Sequence, residues 1–220
     1  MLAKDFIFDK ITPLKTSDTG FDALALMDEY RVSHLPIIND EELLGVISDE
    51  DIFSLNQYSE SIGNHKLSLS RVFVAEDQHI YEILRLFAEN KLTLIPVLDK
   101  KNCYLGVITL RELIERFGEY TAVGTPGGVL ILEINEKDYS LSQIAQIVES
   151  NDALVLSVFI HSYQDSTRME VILKVNKMDL TAIIATFTRY DYNIKATFSE
   201  SQYDDFLRDR FDSFMNYLNV

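Results

Sequence analysis

One cysteine, Cys103, in 220 residues leaves no partner for an intramolecular disulfide and excludes a multi-cysteine metal site. Basic residues are scarce beside acidic ones, 20 Lys and Arg against 35 Asp and Glu, for a net charge of −15. A field of that sign repels phosphate backbones and anionic lipid, so neither nucleic acid nor membrane is an expected partner, and it keeps a protein soluble. No apolar run approaches the length of a membrane span. Met1-Leu2-Ala3-Lys4-Asp5-Phe6 lacks a basic stretch followed by a long apolar one, so no secretory leader is expected and the expected location is the cytoplasm. The four histidines (His34, His65, His79, His161) are scattered without metal-ligand spacing, and Cys103 has no histidine near it in sequence. An enzyme, a metal site and a required cofactor are therefore not expected. What is present, at 47% hydrophobic and 11% aromatic residues, is a folded chain with a core.

The chain repeats itself. Leu24, Met27, Val32, Leu35 and Pro36 recur sixty positions later as Leu84, Phe87, Leu92, Ile95 and Pro96. After one extra residue, Leu44-Gly45-Val46-Ile47-Ser48 recurs as Leu105-Gly106-Val107-Ile108-Thr109. Each copy reads strand, helix, strand, strand, helix. In the second, Ile80, Ile83, Leu84 and Phe87 share one helical face. Asp18 and Asp77 are the expected caps of the first helix in each copy. The strands 34–38 and 94–98 carry a proline near their start, which suits an edge or the first strand positions. The second helices are expected over 49–55 and 110–117.

His34-Leu35-Pro36-Ile37-Ile38 with Gly45-Val46-Ile47-Ser48-Asp49-Glu50-Asp51-Ile52 resembles a CBS repeat. So does Ile95-Pro96-Val97 with Gly106-Val107-Ile108-Thr109-Leu110-Arg111-Glu112-Leu113. The resemblance covers residues 1–60 and 61–120, and implies two repeats packed about a pseudo-twofold axis with two clefts for an adenosine-containing ligand. AMP, ADP, ATP and adenosyl-methionine are the ligands it suggests. It places a Ser or Thr at a strand end and an acid three residues later. The hydroxyl and first helical amides then face a phosphate, and the carboxylate accepts the ribose hydroxyls. In the first cleft Ser48 and Asp51 fit, completed across the axis by Val72, Thr93 and Leu94. In the second, Thr109 is followed by Glu112, one methylene longer, completed by Thr12, Ser33 and His34. Position 34 often carries a cation that meets phosphate in relatives, so the better ribose acceptor and the better phosphate partner fall in different clefts. Helix capping alone also explains Ser48 and Asp51. No cluster of Arg or Lys converges on either motif, which disfavours a triphosphate.

Residues 121–128 read as a linker and close with Gly124-Thr125-Pro126-Gly127-Gly128. This stretch lacks the Lys-Ser/Thr of a phosphate loop and precedes a strand instead of following one. Residues 129–200 read as β-α-β-β-α-β, the order of a ferredoxin-like fold, and resemble an ACT domain. The overall class is thus α/β followed by α+β. The turn Asn135-Glu136-Lys137-Asp138-Tyr139-Ser140 holds no glycine for close approach of a bound amino acid, so this domain is read as pairing or relay first. Residues 201–220 form a helical pattern with Tyr203, Leu207, Phe211, Phe214 and Leu218 in one stripe. The domain order resembles that of the acetoin-utilisation protein B group. Two readings stay open: an adenosine-ligand sensor working through domain or homodimer packing, and a ligand-free dimerisation scaffold for a protein partner.

Overall fold

The computed structural model describes residues 1–55, 57–65, 69–199, 215 and 217. The expected helix over 201–220 lies outside the described residues except for Met215 and Tyr217, which are helical. The chain divides into two compact units, residues 1–117 and 118–220. Among the described residues no helix is long and apolar enough to cross a membrane.

The first unit holds both repeats. Repeat one is β1 (Leu14–Lys15), α1 (Gly20–Tyr30), β2 (His34–Asn39), β3 (Glu42–Ser48) and α2 (Asp49–Phe53). Repeat two is β4 (Val74–Ala75), α3 (Ile80–Asn90), β5 (Leu94–Leu98), β6 (Tyr104–Thr109) and α4 (Leu110–Tyr120). Each repeat forms a three-stranded sheet with β2 or β5 in the middle. Pro36 and Pro96 therefore lie on central strands, not edges. They are tolerated because β1 reaches only Ile37 and Ile38, and β4 only Val97 and Leu98, so each proline sits beyond the parallel ladder.

The caps differ from expectation, by one residue at α1 and by two at α3. Thr19 caps α1, taking the Asp22 amide at 3.2 Å, and the His79 ring takes the Tyr81 amide ahead of α3. Asp18 instead accepts the Lys15 amide at 2.8 Å, and Gln78, not Asp77, does the same for Ala75 at 2.7 Å. The true correspondence is Asp18 with Gln78 and Thr19 with His79. The side chain one residue earlier ties the turn, and the residue at the helix boundary caps it. Helix α2 also ends earlier than the periodicity suggests, at Phe53, where the Ser54 hydroxyl bonds back to the Asp51 carbonyl at 2.6 Å.

The two repeats exchange their leading segments. The Ala3 and Lys4 amides donate to Gln78 and Glu76, Phe8 bridges Val107, and Ala3 and Phe6 are buried in the core of repeat two. In mirror fashion Ile62 and Gly63 donate to Asp18 and Thr16, Ser70 bridges Val46, and Ile62 is buried in the core of repeat one. The crossing points are Gly45 and Gly106, at φ 155° and 147°. A Cβ on Gly45 would lie 2.6 Å from Leu69 Cβ, and one on Gly106 2.7 Å from Ile7 Cγ2.

The second unit is β7 (Gly128–Asn135), α5 (Leu141–Glu149), β8 (Val155–Ser162), β9 (Arg168–Val175), α6 (Thr181–Arg189) and β10 (Asn193–Ser199). Its strands form one antiparallel sheet in the order β10-β7-β9-β8. Alternate residues of β7 and β9 (Leu130, Leu132, Val171, Leu173) pack against Ile144, Ile147, Ile183 and Phe187 of the two helices.

Alanine at Gly45 is expected to destabilise the chain by about 1–3 kcal/mol, through left-handed backbone strain and collision with a β-carbon that cannot swing away. Gly106→Ala meets a side-chain tip and is expected to cost less. Urea unfolding of both variants checks the order.

Candidate functional site

In the first unit a cleft of about 850 Å³ opens between the end of α1 and the start of α4. Phe8 of the exchanged leading segment, with Ile11, Tyr30, Val32 and Ile114, supplies its apolar walls. Thr93, Thr109, Arg31, Arg111 and Glu112 supply its polar groups. Thr109, which ends β6, accepts the Glu112 amide at 3.1 Å and so caps α4. The Leu110 amide is taken by the Thr93 carbonyl at 3.0 Å. Eleven residues of α4 thus point their amino end at the cleft.

Thr109 and Glu112 of the expected second cleft therefore line a real cavity. Their expected companions are placed differently. Thr12 is exposed beside Ile11, which is the residue that lines the wall. Ser33 and His34 meet Thr93 at the centre of the unit: the Ser33 amide donates to the Thr93 hydroxyl at 3.0 Å, and the Thr93 amide donates to His34 Nδ1 at 3.3 Å. With Nδ1 accepting, the ring carries its proton on Nε2. Thr93, assigned from sequence to the first cleft, thus faces the second.

His34 is no phosphate-binding cation at neutral pH. Burial lowers its pKa, outweighing the carboxylates of Asp49, Asp51 and Glu50, which act the other way. It pairs in register with Ser48, so its charged neighbours belong to α2 of its own repeat.

Around Ser48 and Asp51 the chemistry is that of a helix cap. Asp51 Oδ2 accepts the Ser48 amide at 2.9 Å and the Ser48 hydroxyl at 2.6 Å, while the Asp51 amide donates to Ser48 Oγ at 3.0 Å. Such a reciprocal cap contributes about 0.5–2 kcal/mol. Helix α2 has five residues, and its first three are Asp49, Glu50 and Asp51. Three carboxylates at that end oppose a phosphate more than so short a dipole attracts one. Leu94 is fully buried in the core of repeat one, leaving its side chain no surface for a ligand, and Val72 packs against the core of repeat two.

The CBS domain family model matches residues 3–57 and 68–119. This part of the chain is a CBS pair. Among curated proteins it is similar to the inosine-5'-monophosphate dehydrogenase of Methanocaldococcus jannaschii, 26% identical over 115 residues, covering 52% of this chain and 23% of that enzyme. The same enzyme of Bacillus subtilis is 27% identical over 143 residues, covering 62% of this chain and 29% of the enzyme. The match thus spans about a quarter of those relatives' length. Among solved structures, a CBS domain pair/ACT domain protein of Thermotoga maritima is 27% identical with a TM-score of 0.49, covering 54% of this chain and 98% of that one. CBSX2 in complex with AMP is 26% identical with a TM-score of 0.47, covering 54% and 96%; CBSX2 has also been solved from Arabidopsis thaliana.

Sequence reasoning missed Phe8, Ile11, Tyr30 and Val32 in the cleft of the CBS pair. One signal was available: Phe8 and Ile11 are apolar, yet precede β1 with no partner in their own repeat pattern.

Because folding depresses the His34 pKa, the unfolded chain takes up that proton first as pH falls. Stability is expected to drop below the ordinary histidine value of about 6.5, where protonation also breaks the Thr93 bond to Nδ1. Urea unfolding between pH 5 and 7.5 should show that slope, and His34→Gln should reduce it.

Proposed function

We propose that the CBS pair binds an adenosine monophosphate-type ligand in the cleft beside α4, and that the chain is a non-enzymatic regulatory module. The observation that carries this reading is the contrast between the two helix starts. Helix α4 offers eleven residues, one acid in its first turn and a cavity in front of it, whereas α2 offers five residues headed by three acids. A volume of about 850 Å³ falls within the range of roughly 300–1,000 Å³ that small-ligand clefts span. The apolar walls suit a base, and the Thr109 end suits a phosphate.

Glu112 is the ribose acceptor of this reading. Its carboxylate holds Arg116 at 2.8 Å one turn along the same helix, an exposed pair worth about 0.3–0.5 kcal/mol. Releasing Arg116 to take a ribose therefore costs less than dismantling the Ser48–Asp51 cap. The cleft's cations, Arg31 and Arg111, stand against Glu29, Glu112 and Glu115, a balance that suits one phosphate and not three.

CBS pairs are regulatory modules, and we infer that this one acts on the second unit or on a homodimer partner. The second unit, with strand order β10-β7-β9-β8 and two helices on one face, we read as a ferredoxin-like, ACT-like domain. Its turn over 136–138 is a short 3-10 segment without glycine, which favours relay over amino-acid capture. The domain order resembles the acetoin-utilisation protein B group, and composition favours the cytoplasm. No regulated target follows from either.

Calorimetry with AMP tests the site. Glu112→Gln is expected to weaken AMP by roughly tenfold to a hundredfold, the weight of a hydrogen bond to a charged group. Asp51→Asn is expected to leave it within about twofold. The reverse pattern would move the nucleotide to the first repeat's motif. Wild-type protein that binds no AMP at millimolar concentration would leave the ligand-free scaffold as the better reading.

A further inference from the structure

The sheet of the second unit carries both its helices on one face, and its other face is apolar at the centre. Register puts Ile131, Ile172, Phe159 and Ala196 side by side on that face, with Val129 and Phe198 next to them. None of the six belongs to the helix-covered core, and Phe159 and Phe198 are 44% and 56% exposed. Charged groups frame the patch, with Arg168 paired to Glu133 at one end. Lys174 lies beside Val129 across the β7–β9 ladder, and Lys195 of β10 reaches across to Glu170 of β9, which also receives the Tyr163 hydroxyl at 2.5 Å.

We propose that this face is the docking surface for the chain's own C-terminal segment, residues 201–220, bound as an amphipathic helix. Three observations commit the occupant. First, β10 is an edge strand that ends at Ser199, so the segment leaves the sheet at its border. Second, its length fits: eighteen helical residues span about 27 Å at 1.5 Å each, the same as an eight-residue strand at about 3.3 Å each. Third, its pattern fits. Tyr203, Leu207, Phe211, Phe214 and Leu218 recur at helical spacing, and the segment has four aspartates against two arginines to meet the lysines of the rim. Met215 and Tyr217 are helical and exposed, and both fall on the flanks of that stripe.

The test uses the full chain with Cys103→Ser, Ile172→Cys and Phe211→Cys, mildly oxidised and run without reductant. A disulfide within one chain, mapped by peptide mass, is the expected result. A disulfide formed between chains only would make a second copy the occupant and overturn the proposal. Free thiols at both positions would overturn it as well. A second measurement does not depend on disulfide geometry: maleimide labelling of the lone thiol in Cys103→Ser/Ile172→Cys. Adding Phe211→Asp and Phe214→Asp should speed labelling at least tenfold with the far-ultraviolet circular dichroism of the sheet retained. An unchanged rate would count against the docked segment.

Discussion

The exchange of leading segments between the repeats is the contact on which the rest of the first unit depends. Ala3, Phe6 and Ile7 complete the core of repeat two, and Ile62 and Leu69 complete that of repeat one. Neither three-stranded sheet has a closed core without chain contributed from the other side. Close approach is possible because Gly45 and Gly106 hold backbone angles that a side chain would strain and leave the space a β-carbon would fill. The same exchange makes the cleft: Phe8, which bridges Val107, enters with the segment that crosses over and shares the wall with Ile11 of repeat one's own core.

The repeats, their element order and the Ser48 and Thr109 helix starts are legible in the sequence, because these are local and recur at a fixed offset. Strand neighbours, cap positions and contacts between the repeats are less legible. Pro36 and Pro96 look like edge residues, yet lie on central strands whose outer neighbour is only two residues long. Asp77 looks like a cap because it is the nearest acid, but the repeat offset assigns its place to Gln78. Thr93 was grouped with Ser48 and Asp51 by analogy, whereas it binds Ser33 and His34 and faces Thr109. The proline and Thr93 misses reflect contacts with another segment that periodicity does not encode, whereas the cap miss is local turn chemistry.

Capping chemistry and ligand chemistry draw on the same residues, and energies separate them. At Ser48 the hydroxyl and the carboxylate satisfy one another, so a ligand must first replace bonds already made. At Thr109 the hydroxyl takes the Glu112 amide, while the Glu112 carboxylate turns outward to Arg116. The Glu112 carboxylate, which looks like a poorer grip in the sequence, is committed to an exposed ion pair and not to the cap.

Thr93 also bounds how strongly the cleft can speak to the rest of the unit. It lines the cleft, and through its hydroxyl and amide it holds Ser33 and His34, whose ring lies among the carboxylates of α2. A ligand shifts a conformational equilibrium only by its differential affinity for the two states. One neutral hydrogen bond made or lost at Thr93 is worth about 1 kcal/mol, which is roughly a fivefold change in such an equilibrium. Two bonds act there, so a signal passing through this residue alone amounts to roughly tenfold to thirtyfold. A larger response requires the packing behind the cleft itself to change, because Phe8 and Ile11 pack in the one core cluster that joins Leu94 and Val107 of repeat two to repeat one.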